Sequence, residues 1–347
     1  TVLFSALISG GELHLFAKDR FNNPEYIHQY FNDYNIDCLK IVPSHWRFLR
    51  HQSNFLLPSK LLMFGGESLP GEYIKEIRKA NSECIVVNHY GPTETTIGKL
   101  IHVVDKNVDY PTSAPIGKPF GNTVPHVLNK DANYCAIGVP GELYIGGLGV
   151  ARGYLNNPEL TNKMFVDRNV EGIETRFYKT GDLVRWLANG DIEFLGRIDD
   201  QVKIRGNRIE LGEIQNALLK CKDVRQCAII VDEDTNDEKR LVAYVVVDSI
   251  FNKDAILNHL KLTLPEFMVP RILIQIDKIP LTANGKLDRK SLPKVEINQI
   301  AENGYVAPQT PEQNLLTEIW ASNLDISKIG ITDDFFELGG HSLVAVK

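Results

Sequence analysis

The sequence is poor in sulfur, with five cysteines and three methionines among 347 residues, and it holds only three tryptophans. Cys38, Cys84, Cys135, Cys221 and Cys227 are scattered, odd in number and never in CxxC spacing. That pattern argues against a disulfide framework and the common zinc sites, and fits a reducing cytoplasm. No apolar run approaches the roughly 20 residues that span a bilayer. Positive charge is not in excess: 38 Lys and Arg face 44 Asp and Glu, for a net charge of −6. A nucleic-acid or anionic-membrane partner is therefore not expected. "TVLFSALISGGELHLF" has no charged leader and no cleavage site, so it is not a signal peptide. It opens in mid-pattern, as "GGHSLVAVK" closes, and the chain reads as a piece of a longer one. No internal repeat is visible.

What is present is globular composition, 43% hydrophobic and 24% charged, at a length that implies two or three domains. The expected class is α/β. Over 1–110, helix and strand patterns alternate: "NPEYIHQYFNDY" places Ile27, Tyr30, Phe31 and Tyr34 on one helical face, and the strands "CLKIV", "LLMFGG" and "CIVVNHYG" follow. This is βαβ logic and predicts a mostly parallel sheet, with ligands collecting at strand carboxyl ends, where "FGGES" and "HYGPTETT" lie. Over 111–198, short β-like pieces broken by Gly, Asn and Asp predict a small antiparallel, barrel-like subdomain. Over 199–298 an α+β subdomain is expected. The polar stretch 299–310 reads as a linker, and 311–347 as part of a helical domain.

Taken singly, the polar motifs are ambiguous. "NHYGPTETT" (88–96) offers an aromatic ring for a nucleobase, hydroxyls for phosphate and Glu94 for Mg²⁺, or is a polar turn after a strand. Asp182 in "YKTGDLVRW" can accept from ribose hydroxyls or can be a turn aspartate. The charged run "GRIDDQVKIRGNRIELGEI" can be a solvated face. Lys286 can be a hairpin tip, and Ser342 in "LGGHSL" can be a helix N-cap.

Their order decides between these. "NHYGPTETT", "GELYIGGLGVARGYLNNPELT", "YKTGDL", "GRIDDQVKIRGNRIELGEI", "LPEFMVP", "NGKLDRK" and "LGGHSL" run through nearly the whole chain. In form, order and spacing the chain resembles the adenylation domain of a nonribosomal peptide synthetase followed by the start of its carrier domain. The resemblance implies that an amino acid is activated with ATP as an aminoacyl adenylate and passed to a phosphopantetheine thiol, in antibiotic-type secondary metabolism. It implies that Tyr90 stacks on adenine beside Asn88 and Gly91, with Thr93 near phosphate and Glu94 on Mg²⁺. Asp182 and Arg197 would hold the ribose. Lys286 would bridge substrate carboxylate and ATP, Asp199 would be the hinge of the 199–298 subdomain, and Ser342 would carry phosphopantetheine placed there by a separate transferase. Neighbouring synthetase domains are implied partners. The family's phosphate loop and α-amino anchor would lie upstream of Thr1, so the 347-residue piece alone is expected to adenylate poorly. An acyl- or aryl-CoA ligase would share some blocks but not "LGGHSL". A non-catalytic docking piece would not be expected to keep Glu94, Asp182, Arg197 and Lys286.

The substrate pocket maps by resemblance to Thr1, Lys40, Met63, Gly65, His89, Ile97 and Gly98. Lys40 sits inside an apolar strand, where a lysine needs a negative partner. With His89 beside it, the pocket is expected to favour a short anion: aspartate, pairing with Lys40 and accepting from His89. The asparagine pattern is close but has an acidic group at the His89 position. Outside the family frame, Lys40 snorkelling to the surface and His89 bonded within the core remain open.

Overall fold

The computed structural model describes residues 2–49, 55–80, 83–233, 239–248, 251–282, 287–294, 305–324, 326, 328–335, 338 and 340. The expectations for Thr1, Lys286 and Ser342 lie outside them. The chain divides into two compact units, Thr1–Asn207 and Arg208–Lys347.

The first unit begins with helices α1 (Val2–Ile8), α2 (Lys18–Phe21) and α3 (Pro24–Tyr34). Asn23 caps α3, its side chain accepting from the Tyr26 N–H at 3.0 Å, and Pro24 opens the first turn. Ile27 and Phe31 are buried as the periodicity predicts, while Tyr34 of the same stripe is exposed. Strands β1 (Cys38–Ile41), β2 (Leu61–Gly65) and β3 (Ile85–Tyr90) pair in parallel, with α4 (Pro43–Phe48) and α5 (Gly71–Lys79) between them. Two antiparallel strands, β4 (Leu100–Val103) and β5 (Lys118–Pro119), complete the sheet in the order β1-β2-β3-β4-β5.

A second sheet follows: β6 (Thr123–Leu128), β7 (Gly141–Gly147), helix α6 (Pro158–Met164), β8 (Phe165–Val170), the long β9 (Ile173–Trp186) and β10 (Ile192–Arg197). The expected antiparallel layer is present, but it is an open sheet ordered β10-β9-β7-β6, with β8 on β9, and not a barrel. Tyr90 and Leu100 of the first sheet pack with Val127, Leu143, Ile145, Val184 and Ile192 of the second in one apolar core. The chain leaves the unit through β11 (Gln201–Ile204), which forms a hairpin with β12 (Asn207–Glu210).

The second unit is α+β. Helix α7 (Leu211–Leu219) precedes β13 (Val224–Glu233) and β14 (Lys239–Val247), which pair antiparallel; after α8 (Lys253–Thr263), β15 (Ile272–Gln275) returns parallel to β14. Val242, Tyr244, Ile272 and Leu292 form one of its buried apolar clusters. Helix α9 (Pro311–Leu324) and the buried Ile326, Ile329 and Leu338 close the described chain. Among the described residues no helix is long and apolar enough to cross a membrane.

Candidate functional site

Strand register brings the predicted pocket residues together. Lys40 lies opposite Met63, and Gly65 opposite His89. Because strand side chains alternate, Lys40, Met63, Gly65 and His89 share one face of the first sheet. Asn88 and Tyr90 take the other face.

His89 is buried, at 6% exposure, and its ring is wedged against backbone: a Cβ on Gly98 would lie 2.1 Å from its Nε2. The space left by Gly98 is therefore filled by the imidazole and not held open for substrate. On another side the Phe120 ring lies 5.9 Å away, centroid to centroid. Burial, reinforced by the Lys40 charge, lowers the His89 pKa from 6.5 to about 4. Burial likewise lowers the pKa of half-buried Lys40. The face thus holds a neutral imidazole beside an ammonium.

This has a consequence for stability. The unfolded chain binds a proton at His89 near pH 6.5 and the folded chain only near 4, so stability is fully present above 6.5 and falls as pH drops through that window. The expected loss from this residue is on the order of 2–3 kcal/mol. Urea unfolding at pH 7 and 4.5 should show a smaller drop for His89→Asn than for the parent; an unchanged drop contradicts it. Gly98→Ala should keep the fold at a cost of about 1–3 kcal/mol but turn the ring out. A ring titration by NMR should then move the His89 pKa back toward 6.5, and a value still near 4 would show that the ring has not moved.

The turn after β3 is held by backbone. The Lys99 N–H bonds the Tyr90 carbonyl at 2.8 Å, and a Cβ on Gly91 would meet the Ile97 carbonyl oxygen at 1.4 Å, so only glycine fits there. Thr96 and Ile97 both have φ of 66°, a left-handed conformation that is strained for a β-branched residue; such strain clusters at functional sites. Thr93 is exposed in the 3₁₀ turn Thr93–Thr95, and Ile97 is 47% exposed. Half-buried Glu94 is gripped at one oxygen, Oε1 accepting from the hydroxyls of Tyr154 and Tyr178 at 2.8 Å each.

On the opposite face the Tyr90 hydroxyl donates to Asp182, which is 3% exposed. Asp182 and Arg197 are register partners across β9 and β10, and Arg197 Nη1 donates to Asp182 Oδ1 at 2.7 Å. Arg197 also grips Asp199 through two bonds, Nε to Oδ1 at 2.8 Å and Nη2 to Oδ2 at 2.6 Å. Burial works to lower the Arg197 pKa, but the two aspartates outweigh it and raise it. Burial and then Asp182 push the Tyr90 phenol far up, so it stays a donor. The Asn88 amide donates to the Pro115 carbonyl at 2.8 Å, tying β3 to the segment before β5.

Three family profiles match in chain order: AMP-binding enzyme over residues 1–155, AMP-binding enzyme C-terminal domain over 213–286, and phosphopantetheine attachment site over 314–347. The dimodular nonribosomal peptide synthase of Bacillus subtilis is 39% identical over 345 residues, 99% of this chain and 14% of its own length. Gramicidin S synthase 2 of Brevibacillus brevis is 41% identical over 352 residues, 99% of this chain and 8% of its own. The chain belongs to the nonribosomal peptide synthetase family of AMP-binding enzymes. It spans 14% or less of the length of these two relatives. Among solved structures, an NRPS protein containing adenylation and PCP domains, bound to a vinylsulfonamide inhibitor, matches with TM-score 0.76 at 28% identity over 93% of this chain and 53% of its own. The Vibrio cholerae adenylation domain AlmE, in complex with glycyl-adenosine-5'-phosphate, matches with TM-score 0.65 at 27% identity over 75% of this chain and 50% of its own.

Several residues of this synthetase chain escape sequence reasoning. Tyr154 and Tyr178, which orient Glu94, are 60 and 84 residues from it, too far for any spacing rule. Phe120 beside His89 is an ordinary loop aromatic in sequence. Lys203 is hidden inside a charged run, yet its Nζ lies 5.8 Å from the centre of the Tyr90 ring.

Proposed function

We propose that this chain is the adenylation and carrier part of a synthetase module that activates L-aspartate with ATP and hands it to the carrier domain. The observation that carries the choice of aspartate is the shared sheet face of Lys40 and His89. A β-carboxylate there pairs with the ammonium and accepts from the neutral imidazole, and a short side chain suits a face already filled by the His89 ring. By the family mapping, Met63, Gly65, Ile97, Gly98 and Thr1 would complete the pocket.

In the first step the substrate carboxylate oxygen attacks the α-phosphorus of ATP and pyrophosphate leaves with the broken P–O bond's electrons. In the second, a thiol loses its proton and attacks the acyl carbon, and AMP leaves. The protein's part is positioning and charge compensation. Tyr90, beside Asn88 and Gly91, stacks on adenine; Asp182 and Arg197 hold the ribose; Thr93 faces phosphate; Lys286 bridges the reacting carboxylate and ATP. Glu94 is a hard oxygen donor, oriented by two tyrosine hydroxyls, and so fits Mg²⁺, which favours one or two carboxylates plus phosphate oxygens. Bound there, Mg²⁺ would offset charge developing on the phosphates. Asp199, bonded twice to Arg197, is the hinge for the 199–298 subdomain, and Ser342 carries the phosphopantetheine installed by a transferase. Neighbouring synthetase domains take the product onward.

The test is amino-acid-dependent ATP–pyrophosphate exchange by the parent synthetase across the proteinogenic amino acids. Aspartate should exceed asparagine clearly. Preference for asparagine or an apolar amino acid would refute the pocket assignment, and no exchange with any amino acid would refute the enzymatic one.

A further inference from the structure

His89 is more than nine-tenths buried, yet among the described residues neither of its ring nitrogens has a hydrogen-bond partner. A buried polar group in that state calls for a partner from outside the chain, and on the reading above that partner is the substrate side chain. To serve it, the imidazole must hold one orientation, because its two nitrogens differ: one donates and the other accepts. Backbone limits the ring on two sides. A Cβ on Gly98 would lie 2.1 Å from Nε2, and one on Gly65 would lie 3.7 Å from Nδ1.

A third side is closed by Phe120, whose ring is tilted 56° to the imidazole at 5.9 Å between centroids. The fold fixes the Phe120 backbone from two directions. Its N–H bonds the Lys99 carbonyl at 2.9 Å, which extends the β4–β5 pairing of Leu100 with Pro119 to the residue after Gly98. Its own carbonyl accepts from the Thr123 N–H at 3.2 Å, closing a tight turn in which Asn122 has φ of 63°. A Cβ on Gly147 would lie 2.1 Å from the Asn122 carbonyl oxygen, so the turn also abuts the end of β7. The backbone that carries the ring is thus seated on both sheets. Phe120 is 38% exposed, with part of its ring toward water and part toward His89.

We propose that Phe120 is a positioning residue for substrate selection: its ring covers the His89 imidazole and holds it in the orientation that meets the substrate side chain. The proposal rests on the aspartate reading above and concerns binding, before either bond changes. With the cover in place the imidazole stays dry beside the Lys40 charge. Without it, water supplies partners to the ring nitrogens and the ring gains rotamers. A bound β-carboxylate must then displace water and reorder the ring. That cost falls on substrate affinity and leaves the reacting carboxylate, at the other end of the amino acid, unaffected.

Two experiments test this. The first needs no turnover: modification of His89 by diethyl pyrocarbonate, followed by mass spectrometry on the 347-residue chain. Phe120→Ala should speed the modification about tenfold, and Phe120→Leu, which keeps an apolar cover, less than about threefold. Equal rates in Phe120→Ala and the unsubstituted chain overturn the proposal. The second is aspartate-dependent ATP–pyrophosphate exchange by the parent synthetase. Phe120→Ala should raise the KM for aspartate about tenfold while kcat stays within about twofold, and Phe120→Leu should recover most of the loss. In a His89→Asn background the same Phe120→Ala change should move KM less than about twofold, because the effect runs through the imidazole. A loss confined to kcat, or an equal rise in KM with and without His89, overturns the proposal. A parent that selects an amino acid without a side-chain carboxylate refutes the aspartate reading and the selection role with it, and the modification rate alone then decides whether Phe120 covers the ring.

Discussion

Arg197→Ala is expected to destabilise the first unit by about 3–5 kcal/mol, the range for removing one partner of a buried ion pair. Asp182 is only 5% exposed at its side chain and Arg197 13%, so the aspartate would keep its charge in the core, facing the Tyr90 hydroxyl without its cation. Loss of the pair at Asp199, which is 46% exposed, should add little. Urea unfolding measures the effect. Asp182→Asn in the same chain should restore part of the loss, because the penalty comes from an uncompensated charge more than from a missing contact. A single Arg197→Ala loss below about 1 kcal/mol would mean that Asp182 is hydrated and the network is ornamental. The same substitution should weaken nucleotide binding, which fluorescence titration with a labelled AMP would report.

Lys40→Ala should lower aspartate-dependent ATP–pyrophosphate exchange by the parent synthetase a hundredfold or more, equivalent to about 3 kcal/mol. A charge-assisted bond accounts for about 1.5–3 kcal/mol, and stranding the substrate carboxylate without its cation adds to that. The loss should be specific to aspartate, so the ratio of aspartate to asparagine activity should collapse together with the rate. His89→Glu should move that ratio further, toward asparagine, because a carboxamide N–H needs an acceptor where a carboxylate needs a donor. Unchanged aspartate activity in Lys40→Ala would place the lysine outside the pocket. The stability of Lys40→Ala should stay within about 1 kcal/mol of the parent, since burial already lowers the lysine's pKa and its charge contributes little to the fold.

Much of the architecture was legible in residues 1–110, because strand and helix announce themselves through periods of 2 and 3.6. The spans of β1, β2, β3 and α3 follow the apolar pattern closely. The second layer was legible as antiparallel, but its failure to close was not. Closure depends on strand tilt and on which edges meet, and neither is written in a local pattern. Pairings such as Leu100 with Pro119 form between segments whose adjacency only the fold creates.

Among the described residues, Lys40, Met63, Gly65 and His89 share a sheet face and Tyr90, Asp182 and Arg197 share a bonded network, but their environments did not follow from the motifs. Gly98 maps to the pocket, and the fold fills the space beside it with the His89 ring. His89 maps to the pocket beside Lys40, and burial keeps its imidazole neutral above about pH 4. Asn88, the first residue of the polar motif, spends its amide on Pro115.

By itself the sequence determined the α/β class, the order of the family blocks and the identity of the polar residues at strand ends, because those depend on composition and short-range periodicity. Tertiary structure alone decided which groups touch: Asp182 with Arg197 and Tyr90, Glu94 with Tyr154 and Tyr178, Glu67 with Gly206. Charge state followed from those contacts too, since a pKa depends on burial and on neighbours that chain separation conceals.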